Sequence, residues 1–211
     1  MDEADELLNG ETLDEVREIV MSAPVDVQLA FFSATQANTA EKLSEIFGVD
    51  VEQFDVRQTD DTQGEVIHGL VRVASNKKVT YLRRLAKLKH FQALVFFNHV
   101  STLEHVAAEL KHQHISSVKL AGHQVQTERA TAMRLFRKGD AKLLLTTEMA
   151  ARGLDIPDLP AVVNFDLPQD ATAYTHRTGR TGRMGNEGMI VNMGDDCLLY
   201  TSDAADDGES V

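Results

Sequence analysis

The chain has 211 residues and a formal net charge of −12, so it can hold one large or two small domains and does not grip nucleic acid by overall basicity. Its single cysteine, Cys197, excludes an internal disulfide framework and fits a reducing compartment. No apolar run reaches the length of a membrane span, and no signal-peptide pattern opens the chain, so a cytoplasmic protein with no membrane partner is expected.

Asp2-Glu3-Ala4-Asp5 comes first, a carboxylate pair with no strand ahead of it to aim it. Glu11 to Met21 places Leu13, Val16, Ile19 and Val20 at helical spacing and meets Pro24 as a stop. Val27 to Phe32 predicts a buried strand running into Ser33-Ala34-Thr35, although few partners are present to cover it. Ala40 to Phe47 reads as a helix and Val51 to Val56 alternates like a strand. Arg57 to Gly64 is polar and reads as a linker.

A second series follows. Strands are expected over Val66–Val73, Ala93–Phe97, Val118–Leu120, Lys142–Thr146, Val162–Phe165 and Met189–Met193. Helices are expected over Lys77–Leu88 (Tyr81, Leu82, Leu85 and Leu88 inward), Leu103–Leu110, Thr127–Phe136 and Ala171–Thr178, the last N-capped by Asp170. Such alternation implies a parallel sheet covered on both faces, with ligands at the carboxyl ends of its strands. Phe96 and Phe97 read as core rather than as a base-stacking platform. His105, His112 and His114 lack the cysteines or carboxylates that would complete a zinc site.

The octapeptide His176-Arg177-Thr178-Gly179-Arg180-Thr181-Gly182-Arg183 carries the sharpest chemical signal. It spaces three guanidiniums by threes between glycines, and guanidinium forks suit phosphate. Gly122 to Arg183 holds nine Lys/Arg against seven Asp/Glu, while Asp195 to Val211 holds six acids and no base. The acidity therefore sits mainly outside this region.

Taken in order, Asp2-Glu3-Ala4-Asp5, Ser33-Ala34-Thr35, Gln126-Thr127-Glu128-Arg129, Thr147-Glu148-Met149-Ala150-Ala151-Arg152-Gly153-Leu154-Asp155-Ile156-Pro157 and the octapeptide resemble the motif series of a DEAD-box ATP-dependent RNA helicase of superfamily 2. The resemblance implies a RecA-like α/β fold and an enzyme that couples ATP and Mg²⁺ to local RNA unwinding. It gives Asp2 the Mg²⁺, held largely through water, and gives Glu3 the attacking water. Arg183 becomes the finger on the γ-phosphate with Arg180 beside it, and Asp155 the partner of the ribose. Asp5, Ser33, Thr35 and His176 become the coupling set between nucleotide state and closure. Gln126, Arg129, Thr147, Arg152 and Gly153 become the RNA-backbone face, sequence-tolerant and weakened by salt. Read alone, Arg152 could also pair with Glu148 at i+4.

Departures accompany the matches. His99 stands where the family has a threonine, Glu148 where an aspartate is usual, and His123 where an acidic residue is common. The chain contains no Gly-x-x-x-x-Gly-Lys-Ser/Thr phosphate loop. The expected organisation is a remnant of the first RecA-like domain over 1–57, a linker over 58–64 and the second RecA-like domain over 65–196. Residues 197–211, from Cys197-Leu198-Leu199-Tyr200 onward, resemble a sequencing adapter translated in frame. On that reading the chain is an incomplete helicase, inactive alone. The rival readings are a superfamily 2 DNA helicase or translocase and a stand-alone, non-catalytic RNA-binding module.

Overall fold

The computed structural model describes residues 1, 4–8, 10, 12–24, 26–33, 39–54, 64–122, 124–154, 156, 159–182 and 185–194, the side chains of Asp5 and Glu6 excepted. The chain divides into two compact units, Met1–Asp60 and Asp61–Val211.

Among the described residues the first unit contains three helices, α1 (Ala4–Leu7), α2 (Thr12–Ser22) and α3 (Thr39–Phe47). Its small core draws Ala4 from α1, Leu8 just beyond it, Val16 from α2 and Leu43 from α3. The buried strand expected over Val27–Phe32 does not form. The segment is extended and bonds to the start of the chain: Phe32 N donates to Met1 O and Ala4 N donates to Phe32 O, each at 2.9 Å. Val27, Leu29 and Phe32 stay exposed, Phe32 by 63 %. A strand is buried only when strands flank it and helices cover its faces, and these isolated backbone bonds do neither. The strand expected from Val51 is also absent over 51–54, and the remainder of that run lies outside the described residues.

The second unit is a six-stranded parallel sheet. Its strands are β1 (Val66–Arg72), β2 (Ala93–Phe97), β3 (Ser117–Leu120), β4 (Leu143–Thr147), β5 (Ala161–Asn164) and β6 (Gly188–Gly194), in the order β1-β6-β5-β2-β4-β3. The continuous apolar runs become the central strands: β2 and β5 are buried throughout, and β4 is buried until Thr147. The mixed patterns of β1 and β3 fall at the two edges.

Helices α4 (Lys78–Ala86) and α5 (Val100–His112) cover one face, packing Leu82, Ala86, Leu103 and Leu110 on Val95, Phe97, Leu145 and Val163. Helix α6 (Gln126–Arg137) and the single turn α7 (Glu148–Ala151) cover the other, packing Ala132, Phe136 and Ala151 on Leu94, Phe96, Leu144 and Val162. Helix α8 (Ala171–Thr178) follows β5. Phe96 and Phe97 are core, as expected.

Tyr81 and Leu88 are not inward, contrary to expectation. Helix α4 stops at Ala86, which strands Leu88 past its last turn, and the buried stripe runs through Val79, Leu82 and Ala86 instead. Tyr81 lies beside that stripe with the Arg84 guanidinium 5.3 Å from its ring centroid. The turn α7 is a further element that periodicity does not reveal, being too short to show a helical repeat.

Asp170 caps α8 as expected, its Oδ1 accepting from Ala173 N at 2.7 Å. Asp170→Ala should lower the stability of the second unit by about 1 kcal/mol in urea unfolding followed by circular dichroism.

Candidate functional site

One residue row crosses the α6 face near the carboxyl ends of the strands. Leu120, Thr146, Phe96, Asn164, Asn192 and Leu70 are paired neighbours in that order. Below this row the central strands are apolar on this face, through Leu144, Leu94, Val162 and Ile190; at it, their polar groups begin. Thr146 and Asn164 are fully buried. Asn164 Nδ2 donates to Asn192 Oδ1 at 2.8 Å, and Asn192 Nδ2 donates to the Tyr174 hydroxyl of α8 at 3.2 Å. That hydroxyl shares a 2.8 Å hydrogen bond with His68 Nδ1 of β1. Helix α8 is therefore seated on the sheet by directional bonds, which fix its position more narrowly than apolar packing does.

Arg177 is the centre of the site. It is 3 % exposed, with its guanidinium 5.2 Å from the Phe96 ring centroid. Nη1 donates to Asp166 O at 2.8 Å, and Nη2 donates to Asn98 Oδ1 at 2.8 Å and to Glu148 Oε2 at 3.4 Å. Burial pulls its pKa below the ordinary arginine value, while the charge and hydrogen bond of Glu148 and the charges of Asp166 and Asp170 oppose that pull. Asn98 in turn holds the loop after β5: its N–H donates to Asp166 Oδ2 at 3.2 Å and its Nδ2 to Leu167 O at 2.9 Å. Lys78 joins from α4, donating to Phe165 O at 2.7 Å with Asp166 Oδ1 3.7 Å away. One charged network thus ties together the ends of β2, β4 and β5.

At Arg177 the octapeptide's guanidinium is turned inward, where Nη1 and Nη2 donate to protein oxygens and the buried Nε has no hydrogen-bond partner among the described residues. Glu148 forms an ion pair with Arg177, its Oε2 lying 3.4 Å from Nη2. Sequence reasoning missed Lys78, Asn98 and Asp166 altogether. The available signal was position, since Asn98 and Asp166 are the first polar residues after the buried runs that end at Phe97 and Phe165.

The loop Thr147–Leu154 is where the motifs meet. Thr147 ends β4 half-buried, and Arg152 and Gly153 follow α7 exposed, Gly153 with φ of 67°. From one side Arg129 donates Nη2 to Ala150 O at 3.1 Å and Nη1 to Ala121 O at 3.5 Å, so this expected phosphate ligand spends donors on holding two loops together. From the other side Arg180 donates Nη1 to Leu154 O at 3.0 Å. Gln126 begins α6 exposed, and His176 lies half-buried on α8. Ser33 is exposed in the first unit. Asp2, Glu3, Thr35, Asp155 and Arg183 lie outside the described residues, as does the side chain of Asp5.

The octapeptide's second glycine has a steric task. Gly182 has φ of 69°, and a Cβ there would lie 2.3 Å from Val66 Cγ2. Gly64 N donates to Gly182 O at 3.1 Å, and a Cβ on Gly188 would lie 2.7 Å from Thr181 Oγ1. The turn after α8 thus rests directly on the starts of β1 and β6.

Among the described residues no group of three or more His, Cys, Asp or Glu side chains could hold a metal ion, and no helix is long and apolar enough to cross a membrane.

Residues 77–185 match the helicase conserved C-terminal domain. The chain is 33 % identical over 196 residues to the ATP-dependent RNA helicase DbpA of Bacillus subtilis (strain 168), covering 91 % of this chain and 40 % of that protein. It is 35 % identical over 192 residues to the DEAD-box ATP-dependent RNA helicase CshA of the same organism, covering 90 % of this chain and 39 % of that protein. The structure of S. cerevisiae Dbp5 bound to RNA and ADP BeF3 superposes with a TM-score of 0.79 at 28 % identity, covering all of this chain and 57 % of that one. The chain therefore belongs to the family of the helicase conserved C-terminal domain, which its RecA-like second unit supplies, and it is similar in sequence to DEAD-box RNA helicases. It spans about two fifths of the length of these curated relatives.

Proposed function

We propose that the second unit is the RNA-gripping half of an ATP-dependent RNA helicase that unwinds short duplexes locally. The observation that carries this reading is the convergence of three separate motif segments, at Arg129, Thr147–Leu154 and Arg177–Arg180, on one loop at the carboxyl edge of the sheet. Gln126, Thr147, Arg152 and the bare backbone at Gly153 contact RNA phosphates and sugars there, and Arg129 positions the loop that presents them. A glycine allows close main-chain approach and an arginine offers a fork, neither of which reads a base. RNA binding is accordingly sequence-tolerant and salt-sensitive.

For nucleotide, the same reading assigns Arg183 to the γ-phosphate, Arg180 beside it and Asp155 to the ribose. Asp2, an oxygen donor suited to a hard cation that keeps its waters, holds Mg²⁺, and Glu3 orients the attacking water. When bound, Mg²⁺ neutralises charge developing on the phosphates. Asp5, Ser33, Thr35 and His176 link nucleotide state to RNA grip. Phosphoryl transfer depends on positioning and charge neutralisation, and these 211 residues hold no phosphate loop. The chain by itself should therefore show no RNA-stimulated ATP hydrolysis above background in a coupled phosphate-release assay. Turnover comparable with a two-domain helicase would overturn that assignment.

The nucleic-acid class is tested by competing RNA and DNA oligomers of one sequence for the chain. Preference for RNA is the expected result, and equal or stronger DNA binding would shift the reading to a DNA translocase.

A further inference from the structure

The rim opposite the motif loops carries an unexpected charge. Because all six strands are parallel, the loops that enter them lie together at the amino edge of the sheet, away from the loops that leave them. The segment before β2 presents Lys87, Lys89 and His90, all exposed. The segment before β3 presents Lys111, His112 and His114, also exposed. The segment before β4 adds Arg137 and Lys138, exposed, and Lys142, half-buried. Over 87–92, 111–116 and 137–142 there are six Lys/Arg and three His against one carboxylate, Asp140, in a chain whose net charge is −12.

These segments form one surface. Gln92 Nε2 donates to Phe136 O at 2.5 Å and to Ala141 O at 3.1 Å, and Lys142 Nζ donates to Leu88 O at 3.2 Å, joining the loops before β2 and β4. Lys142 N donates to Ser116 O at 3.0 Å, joining the loops before β4 and β3. In the sheet these three strands are consecutive neighbours, so their starts span roughly 10 Å before the reach of the lysines is added.

Cations in the last turn of a helix answer its dipole, but that effect fades within the turn and does not account for Lys89 or Lys142. The backbone adds a second sign. His90 and His114 sit at φ of 59° and 56°, where glycine is the relaxed residue and where the equivalent turn before β4 has Gly139 at 79°. Both turns keep an ionisable side chain at a conformational cost. A protein partner would want a cluster of apolar anchors, and Leu88 is the one large apolar side chain these loops expose. A phosphate chain wants only the cations.

We propose that the loops before β2, β3 and β4 form a second RNA-contact surface, which holds the phosphate backbone of RNA flanking the stretch gripped at the carboxyl edge. Its choice of RNA over another polyanion rests on the proposed function; its location rests on the charge distribution alone. The surface reads no sequence, needs no nucleotide and lengthens the RNA footprint of the unit around the sheet.

The test uses the full chain and two fluorescent single-stranded RNAs, one short enough for a single rim and one long enough to reach both. Lys87→Gln/Lys89→Gln/Lys138→Gln should weaken the long RNA roughly tenfold and flatten its log–log salt dependence by about 0.7 for each phosphate no longer neutralised, with the short RNA and the thermal midpoint unchanged. Unchanged affinity and salt slope for the long RNA would overturn the proposal. So would a variant that keeps RNA but loses polyglutamate of matched charge, which would assign the surface to an acidic protein. Arg152→Gln, assayed on the short RNA, separates the two claims: no effect there counts against the carboxyl-edge reading alone.

Discussion

Arg177→Ala should destabilise the second unit by about 3–5 kcal/mol, read as a fall in the urea midpoint at unchanged slope. The size follows from what the substitution leaves behind. Asn98 Oδ1, Asp166 O and Glu148 Oε2 each lose a charged donor in a site where Arg177 itself is almost wholly buried. A methionine of similar length fares little better, because those oxygens remain unsatisfied. Lysine also fails, since one ammonium cannot reproduce a planar fork that reaches three oxygens from two nitrogens. Arg180→Ala takes a donor from the Leu154 carbonyl on a side chain that is only half-buried and should cost less. If the two alanine variants unfold at the same midpoint, Arg177 is not the anchor of this network. The comparison also separates two structural roles inside one motif, Arg177 anchoring the buried network and Arg180 bracing the loop at Leu154.

Gly182→Ala should cost about 2–4 kcal/mol by the same measurement, combining left-handed backbone strain with steric overlap. The overlap is specific: the new Cβ would fall 2.3 Å from Val66 Cγ2. Adding Val66→Ala should therefore restore part of that stability, leaving the backbone component. Failure of the second substitution to restore anything would show that the backbone conformation alone demands glycine. Gly188→Ala meets Thr181 Oγ1 at 2.7 Å and Gly182 N at 2.8 Å, so its cost should persist in the Val66→Ala background. In a family motif both of the octapeptide's glycines read as spacers between arginines. In the folded chain Gly182 is where the motif lies against the sheet.

The elements that periodicity located well are those whose burial is symmetrical. Central strands β2, β4 and β5 announce themselves as short apolar runs because both faces are covered, and the Asp170 cap is a local signal that tertiary structure leaves intact. Where burial depends on something outside the segment, the pattern misleads. Val27–Phe32 has the composition of an inner strand but no flanking strands among the described residues, so it stays extended and exposed. Leu88 continues the apolar stripe of α4 past the residue where the helix ends. The site shows the same limit. Spacing identified the motif arginines, but only the fold shows that Arg177 faces Glu148 from 29 positions away while Arg129 and Arg180 brace the loop they flank. A charged residue's type states what it can bind, and its neighbours in space decide whether that capacity is already used.

The central claim is that the carboxyl edge of the second unit, built on the Thr147–Leu154 loop, holds an RNA backbone. Its most direct test is the affinity of the chain for a short single-stranded RNA, measured by fluorescence anisotropy over a salt series, for the native sequence and for Gln126→Ala/Arg152→Gln. Both side chains are exposed, so the variant should unfold at the native midpoint. The account predicts that it binds RNA roughly tenfold more weakly across all sequences tried, with a shallower salt dependence. A folded variant that binds short RNA with native affinity and native salt dependence would contradict it.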